Sequence, residues 1–506
     1  VTVDNFENMF AVLVATASTA VGGAAVGGWA RVENAACARR LSAMADMLEA
    51  RWAEDGSTDR EQWCFDNWNA VAAEVAASYE VSLGVASHQL LVALALRERL
   101  PRLAEAFATG RVTFRMVSTI VNRTALVTDP QIQAKIDVDV AAAVAGWGAL
   151  PQAKVETAID DWVERYDPLA VRRMESHARG RHVDKHSDGG GTSTIEAVLL
   201  AHDAEAVDAR LDAMARKVCE ADPRTLDQLR ADALGALGHG FDHLACLCGS
   251  DDCSAAGVQP NAVVIHVIAE QKSLTDDTPV VLDGENPDKH SQPVPPPTGP
   301  ARTPAAVMIA GAVLPAPLLA ARIAAGATIR ALVHPGSAPP EPRYRPSATL
   351  SRFIRCRDMT CRFPGCTKPA HLCDLDHTIA YPVGPTCASN VKCLCREHHL
   401  LKTFWSGPQG WRDEQLPDGT VIWTDPHRQT HLTRPGSYGL FPQLCEPTAP
   451  AHAAKLDQAP PGRGLAMPRR RRTRAQHRAA RIDAERRRNE PYATERLAQR
   501  NKPPPF

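Results

Sequence analysis

The sequence predicts a multidomain protein: a mainly α-helical N-terminal half, a small α+β middle region, a cysteine-rich C-terminal module and a disordered basic tail. Three observations carry this. The chain has 506 residues, too many for one ordinary core and enough for two or three domains with linkers. Its 14 cysteines are unevenly spread, with seven between Cys356 and Cys395. A formal charge of −1 hides fourteen basic against four acidic residues from Arg463 to Lys502, so the preceding body is acidic by about ten charges.

Residues 1–180 read as a helical domain. The uncharged stretch Met9 to Ala30 is rich in Ala, Gly and Thr rather than Leu or Ile, and Asp4 and Glu7 precede it where an export signal carries Lys or Arg. It is expected to be the helical start of a soluble domain, with no membrane partner. Leu41, Met44, Met47 and Leu48 follow helical spacing. Farther on, a helix, a turn at Gly110 and a second helix capped by Thr113 have the outline of a helix-turn-helix. Arg111 and Arg115 make DNA reading conceivable, but such hairpins are far commoner as packing units.

Residues 181–274 read as a mixed subdomain, with a Gly189 to Gly191 turn between two strand-like runs and two helices up to about Leu237. Cys246, Cys248 and Cys253 then cluster ahead of a β-like run containing His266. Three thiols and an imidazole suit a tetrahedral zinc ion, although C-x-C-x4-C is not a common zinc spacing. Inert packing cysteines are the equal alternative. Residues 275–342 form a Pro-rich connector with one short helix around Pro317 to Ala331, stiff enough to hold its neighbours apart without a shared core.

The informative stretch lies within 343–440. Cys361 and Cys366 form one close pair and Cys395 and His398 a second, the two knuckles of a Cys3His zinc site. So short and polar a segment needs a staple, and bound zinc supplies on the order of 10 kcal/mol in zinc-finger peptides. Cys356, Cys373, Cys387 and Cys393 are near enough in sequence to substitute as ligands. Four ligands fill the zinc sphere, so the zinc is structural and catalysis falls to other residues. Asp376 offers a hard oxygen for a divalent metal and His399 a nitrogen. His377, with an ordinary pKa near 6.5, suits proton removal from water. Histidines beside zinc ligands also serve simply as hydrogen-bond partners, or meet solvent.

The ordered array of C-x4-C, the CDLDH run, Asn390 and the closing C-x2-HH-x2-K resembles an HNH nuclease. That resemblance implies the ββα-metal fold and metal-dependent cleavage of DNA. By it, His377 is the general base, Asp376 and His399 hold a catalytic Mg²⁺ or Mn²⁺, and Asn390 orients the loop or joins the metal site. Alternation along a strand sends Asp376 and His377 to opposite faces, so serving one phosphate requires the strand end to twist. Beyond this array, the Ala-rich helical half, the CLCG element and the junction YRP to RFIRCRDMTCRFPGC resemble actinobacterial proteins that join a domain of unknown function to an HNH domain, the mycobacterial 13E12 repeat family. An inactive zinc-containing nucleic-acid-binding module is the alternative reading.

Arg343, Arg345, Arg352, Arg355, Arg357, Arg362 and Lys402 surround the array. Leu350, Phe353 and Ile354 would dock a short helix while its arginines face phosphate. Trp411 to Thr424, around Pro417-Asp418-Gly419, reads as a hairpin with Trp411 and Trp423 packing. The tail, 441–506, is too poor in apolar residues to fold alone and suits nonspecific polyanion binding. The cysteine clustering fits a reducing compartment, so a cytoplasmic location is expected; partners of the helical half do not follow from the residues.

Overall fold

The computed structural model describes residues 22–55, 59–144, 146–147, 152–171, 181–187, 193–250, 252–253, 267–275, 306–308, 313–314, 316, 319–320, 323, 328–407, 409–453 and 465–500. The N-terminal part is helical, with α1 (Gly23–Asp55), α2 (Asn67–Ser78), α3 (Leu83–Glu98), α4 (Pro101–Ala108), α5 (Phe114–Arg123), α6 (Pro130–Val144) and α7 (Gln152–Tyr166). Leu41, Met44 and Leu48 of α1 are buried, as helical spacing predicts, with Ala45 beside them and Met47 half-buried. Asp66, Ser82 and Thr113 cap α2, α3 and α5 by accepting the amides of Asn69, Val85 and Met116, each cap contributing about 1 kcal/mol. The turn between α4 and α5 is pressed against α1: Gly110 has φ +77°, and a Cβ there would stand 2.1 Å from the Arg31 carbonyl oxygen. With Leu103, Phe107, Val117 and Ile120 in the common core, this hairpin is a packing unit.

Helix α2 is claimed by two cores. Trp68, Val71, Ala72, Val75 and Ala76 pack into the helical core, while Ala70, Ala73 and Ala77, with Phe65 just before the helix, pack into the core of the C-terminal module. A helix apolar all round is a buried one, and alanine lets both layers approach closely. The Trp405 indole N–H donates to the Phe65 carbonyl at 3.1 Å. Glu74, buried on α2, pairs with Arg51 at 2.8 Å and with His427 at 3.1 Å. The expected separation without a shared core is therefore corrected: α2 is common to both parts.

In the middle region β1 (His182–Ser187) and β2 (Ser193–Val198) pair antiparallel, His182 opposite Val198 and Ser187 opposite Ser193. The Gly189 to Gly191 turn lies outside the described residues. Helices α8 (Ala201–Ala215) and α9 (Leu226–Gly238) follow. The stretch read as connector contributes two strands: β3 (Val267–Ile268), β4 (Ala306–Met308) and β5 (Val313–Leu314) form one antiparallel sheet, and Ile268 and Val307 enter the C-terminal core. Strands of two or three residues are too short to leave an alternating signature. The run PVPPPTGP and most of Pro317 to Ala331 lie outside the described residues.

The C-terminal module comprises α10 (Ala348–Asp358), β6 (Asp374–His377), β7 (Val391–Leu394), α11 (Arg396–Phe404), β8 (Arg412–Gln415), β9 (Val421–Thr424) and β10 (Thr430–Thr433). Strands β6 and β7 pair antiparallel with Asp376 opposite Lys392, and α11 follows at once. Strands β8 and β9 form the hairpin read around Pro417-Asp418-Gly419, with Trp411 and Trp423 buried, and β10 adds a third strand.

The disordered tail, expected over 441–506, is corrected for residues 441–453, where Phe441 and Leu444 enter the C-terminal core, and for residues 465–500. Helix α12 (Arg474–Arg500) docks on the helical domain, where Arg474 pairs with Asp66 at 3.2 Å, Arg470 also pairs with Asp66, and Arg486 pairs with Asp167 at 2.5 Å. Asn489 donates to the carbonyls of Leu169 and Val171 at 2.7 and 2.8 Å. A segment unable to fold alone folds here against the acidic body. Among the described residues no single helix is long and apolar enough to cross a membrane.

Candidate metal and acid-base site

Proximity favours one of the ligand sets that spacing leaves open. Cys361, Cys366, Cys395 and His398 bring their ligand atoms within 4.8 Å of one another; Nδ1 of His398 lies 3.2 Å from Cys395 Sγ and 3.5 Å from Cys361 Sγ. Edges of about 3.5–3.8 Å are what tetrahedral zinc with Zn–S near 2.3 Å and Zn–N near 2.0 Å requires. Cys395 precedes the first residue of α11, which puts His398 one turn along the same helix. Phe363 stacks on the His398 ring at 4.0 Å, and Nε2 of that ring is buried with no hydrogen-bond partner, so its polar contacts run to the thiols. The donor set and its burial suit zinc. Gly365 turns the first knuckle at φ +71°, and a Cβ there would meet the Val81 carbonyl oxygen at 2.5 Å, so the knuckle rests on the end of α2. Cys356, Cys373, Cys387 and Cys393 lie outside the cluster; burial pushes the Cys356 thiol up to about 11.

Strand alternation sorts the acid-base residues. Asp374 and Asp376, two apart on β6, share a face with Lys392 of β7. Nδ1 of His399 stands 2.9 Å from Asp374 Oδ2, and its Nε2 stands 3.5 Å from Asp376 Oδ1. The other oxygen of Asp376 receives Lys392 at 2.9 Å and Lys402 at 2.5 Å. Asp413 adds a second carboxylate at 2.6 Å from Lys392. Burial acts to raise the Asp376 pKa, yet the two ammonium groups prevail and hold it at about 2.

His377 faces another way. Its Nε2 is 2.8 Å from the Thr386 hydroxyl, and its ring stacks on Tyr344 with centroids 5.3 Å apart. Burial lowers its pKa below the ordinary value, with Lys402 and Lys392 adding to that and Asp376 opposing. Asn390 is fully buried and spends its amide on the loop: Oδ1 accepts from Ile379 N at 2.8 Å, while Nδ2 donates to the carbonyls of Ile379 and Pro385 at 3.0 and 2.8 Å. Of the two roles considered for Asn390, the loop-orienting one matches this geometry. Asp374, Lys392, Thr386 and Asp413 were missed from sequence. Alternation along CDLDH was signal enough for Asp374.

Several expected phosphate contacts are corrected. Arg357 is 1% exposed and donates to Asp358 Oδ1 and to the carbonyls of Ala388 and Val391 at 2.6–2.9 Å. Arg362 is 3% exposed and donates to the carbonyls of Thr433, at 2.6 Å, and Arg434. Buried guanidiniums must satisfy their donors internally, so both act as struts. Arg355 donates to the carbonyls of Ala370 and Cys373 at 2.9 and 3.1 Å, and Lys402 is committed to Asp376 and the His377 carbonyl. Arg352 is half-buried, and Arg343 and Arg345 are exposed.

Residues 29–358 match the family described as "Domain of unknown function (DUF222)". The chain belongs to the DUF222 family. It is similar to two uncharacterized proteins of Mycobacterium tuberculosis, Rv2100 at 48% identity, covering 96% of this chain and 89% of that protein, and Rv3776 at 47%, covering 95% and 91%. No solved structure matches. The DUF222 match ends with α10, so the zinc-ligand array and the acid-base residues lie just beyond it, although their core includes α2 from inside it.

Within the DUF222 stretch a second cluster forms. Cys219, Cys246, Cys248 and Cys253 bring their sulfurs within 4.8 Å of one another. Cys219, on the turn between α8 and α9, joins the three cysteines expected from sequence; His266, the expected fourth member, lies outside the described residues. Cys219 is 27 positions from Cys246, too distant for any local motif to reveal it.

Proposed function

We infer that this protein is a metal-dependent endonuclease of the HNH type, hydrolysing DNA phosphodiester bonds from a zinc-braced ββα module, as the likeness to the mycobacterial 13E12 repeat family implies. The observation that carries the reading is the Asp374–His399–Asp376 line. A carboxylate holding one nitrogen of an imidazole, with the other nitrogen turned toward a second carboxylate, is the arrangement that orients a histidine ligand for a metal. The order of β6, β7 and α11 around the Cys3His cluster supports it too.

Asp376 and His399 would hold the divalent ion, and a separation of 3.5 Å between Oδ1 and Nε2 is within the span of neighbouring ligands on one ion. When bound, that ion offsets the charge developing on the phosphate and the departing oxygen. Lys392 and Lys402 fix the other carboxylate oxygen, keeping Asp376 ionised and aimed. His377 takes the proton from water: in the tautomer whose Nε2–H is donated to Thr386, Nδ1 is the basic nitrogen, and the lowered pKa keeps the ring neutral at pH 7. Tyr344 covers its other side. Arg343, Arg345 and Arg352 supply phosphate contacts.

The test is supercoiled plasmid incubated with purified protein in Mg²⁺ or Mn²⁺. The reading expects nicked circles, none in EDTA, and resealing by DNA ligase, because the family chemistry leaves 5′-phosphate and 3′-hydroxyl ends. Binding without nicking would favour the inactive nucleic-acid-binding module.

A further inference from the structure

We propose that Cys219, Cys246, Cys248 and Cys253 form a second, structural zinc site that ties the α8–α9 turn to the loop following α9. This site lies inside the DUF222 stretch and is independent of the nuclease reading.

Among the described residues from 182 to 253, the buried apolar side chains are Met214, Ala215, Ala233 and Leu244. In the β1–β2 hairpin, residues 182–186 and 193–198 are exposed. A pair of helices with so small a core requires a staple, and four thiolates around zinc are one of the commonest staples for a small unit.

Cys219 Sγ and Cys246 Sγ are 3.3 Å apart, longer than the roughly 2.0 Å of a disulfide and close to the edge of a zinc tetrahedron, about 3.8 Å for Zn–S of 2.3 Å. The backbone around the thiols is already fixed. Asp222 accepts the Leu247 amide at 2.8 Å and the Arg224 amide at 3.0 Å. Arg224, paired with Asp222 at 2.8 Å, donates to the Ala245 carbonyl at 2.7 Å. This buried strut joins the Cys219 turn to the Cys246 loop without involving a sulfur. Gly249, at φ +72°, turns the chain after Cys248.

Each thiol gives up its proton to water on binding, so a four-thiolate zinc site carries net negative charge that its surroundings must offset. Here the backbone amides of Cys219, Cys248 and Ser250 lie close to the Cys246 and Cys248 sulfurs, partial positive charges that the thiolates would face.

Zinc is measured on the full chain, purified under reducing conditions, for wild type, Cys219→Ser, Cys246→Ser, His266→Ala and Cys361→Ser. Cys219→Ser and Cys246→Ser are each expected to lose one zinc equivalent, His266→Ala none, and Cys361→Ser a different equivalent. Wild-type zinc content in Cys219→Ser overturns the site, as does loss in His266→Ala. Should Cys219→Ser not fold, the wild-type protein decides: alkylation of the four cysteines, located by peptide mass, is expected to accelerate at least tenfold once a chelator strips the metal. Equal rates before and after, or a peptide mass showing Cys219 bonded to Cys246, contradicts the proposal.

Discussion

Nδ1 of His399 is held 2.9 Å from Oδ2 of Asp374, which leaves Nε2 turned toward Asp376. Asp374→Asn weakens that hold while leaving the Asp376 ligand in place. Losing the carboxylate that orients a metal-ligating histidine costs about 10–100-fold in metal affinity. A titration with Mn²⁺ followed by electron paramagnetic resonance is expected to show that loss in Asp374→Asn and no resolvable binding at this site in Asp376→Ala. Wild-type affinity in Asp374→Asn would remove its positioning role.

The pH profile follows from His377. Its pKa lies below the ordinary 6.5 because burial disfavours the charged ring. A general base acts in its neutral form, so nicking is expected to be flat from pH 7 to 8 and to fall as pH drops below the usual histidine range. A single-turnover rate rising steeply through pH 7–8 would assign the base to another group.

Arg352 and Arg357, five residues apart on one helix, should behave oppositely. Arg357→Ala removes the closer of the two arginines paired with buried Asp358, Arg362 standing at 3.9 Å, an effect of up to about 3–5 kcal/mol, read as a large fall in melting temperature. Arg352→Ala is expected to leave melting within about 0.5 kcal/mol of wild type and to weaken DNA binding, with a shallower salt dependence.

The contrast between those two arginines shows what was legible in the sequence. Helical spacing placed Leu350, Phe353 and Ile354 inward, but which arginines also turn inward depends on β7 and β10, whose carbonyls receive Arg357 and Arg362. The Cys3His cluster was readable because both knuckles are local pairs. Cys219 was not, since its partners meet it only through the α8–α9 turn. The double use of α2 left one trace, an alanine-rich helix with no polar face. The docking of α12 was foreshadowed by the opposite charges of body and tail, a relationship hidden when the tail is considered alone.

That docking has its own consequence. Removing residues 454–506 deprives Asp66 and Asp167 of Arg470, Arg474 and Arg486. These ion pairs are partly exposed, so the truncated chain is expected to melt a few degrees lower at low salt, with part of the deficit closing as salt rises. An unchanged melting temperature would show that α12 contributes nothing to the fold.

The central claim rests on His377 acting as a base in an intact, zinc-braced site. The most direct measurement is the single-turnover nicking rate of His377→Ala against wild type, in Mg²⁺, with zinc content and melting temperature matched. The account predicts a fall of about 10²–10⁴-fold. Nicking at the wild-type rate by the variant, or no EDTA-sensitive nicking by the wild type, would contradict it.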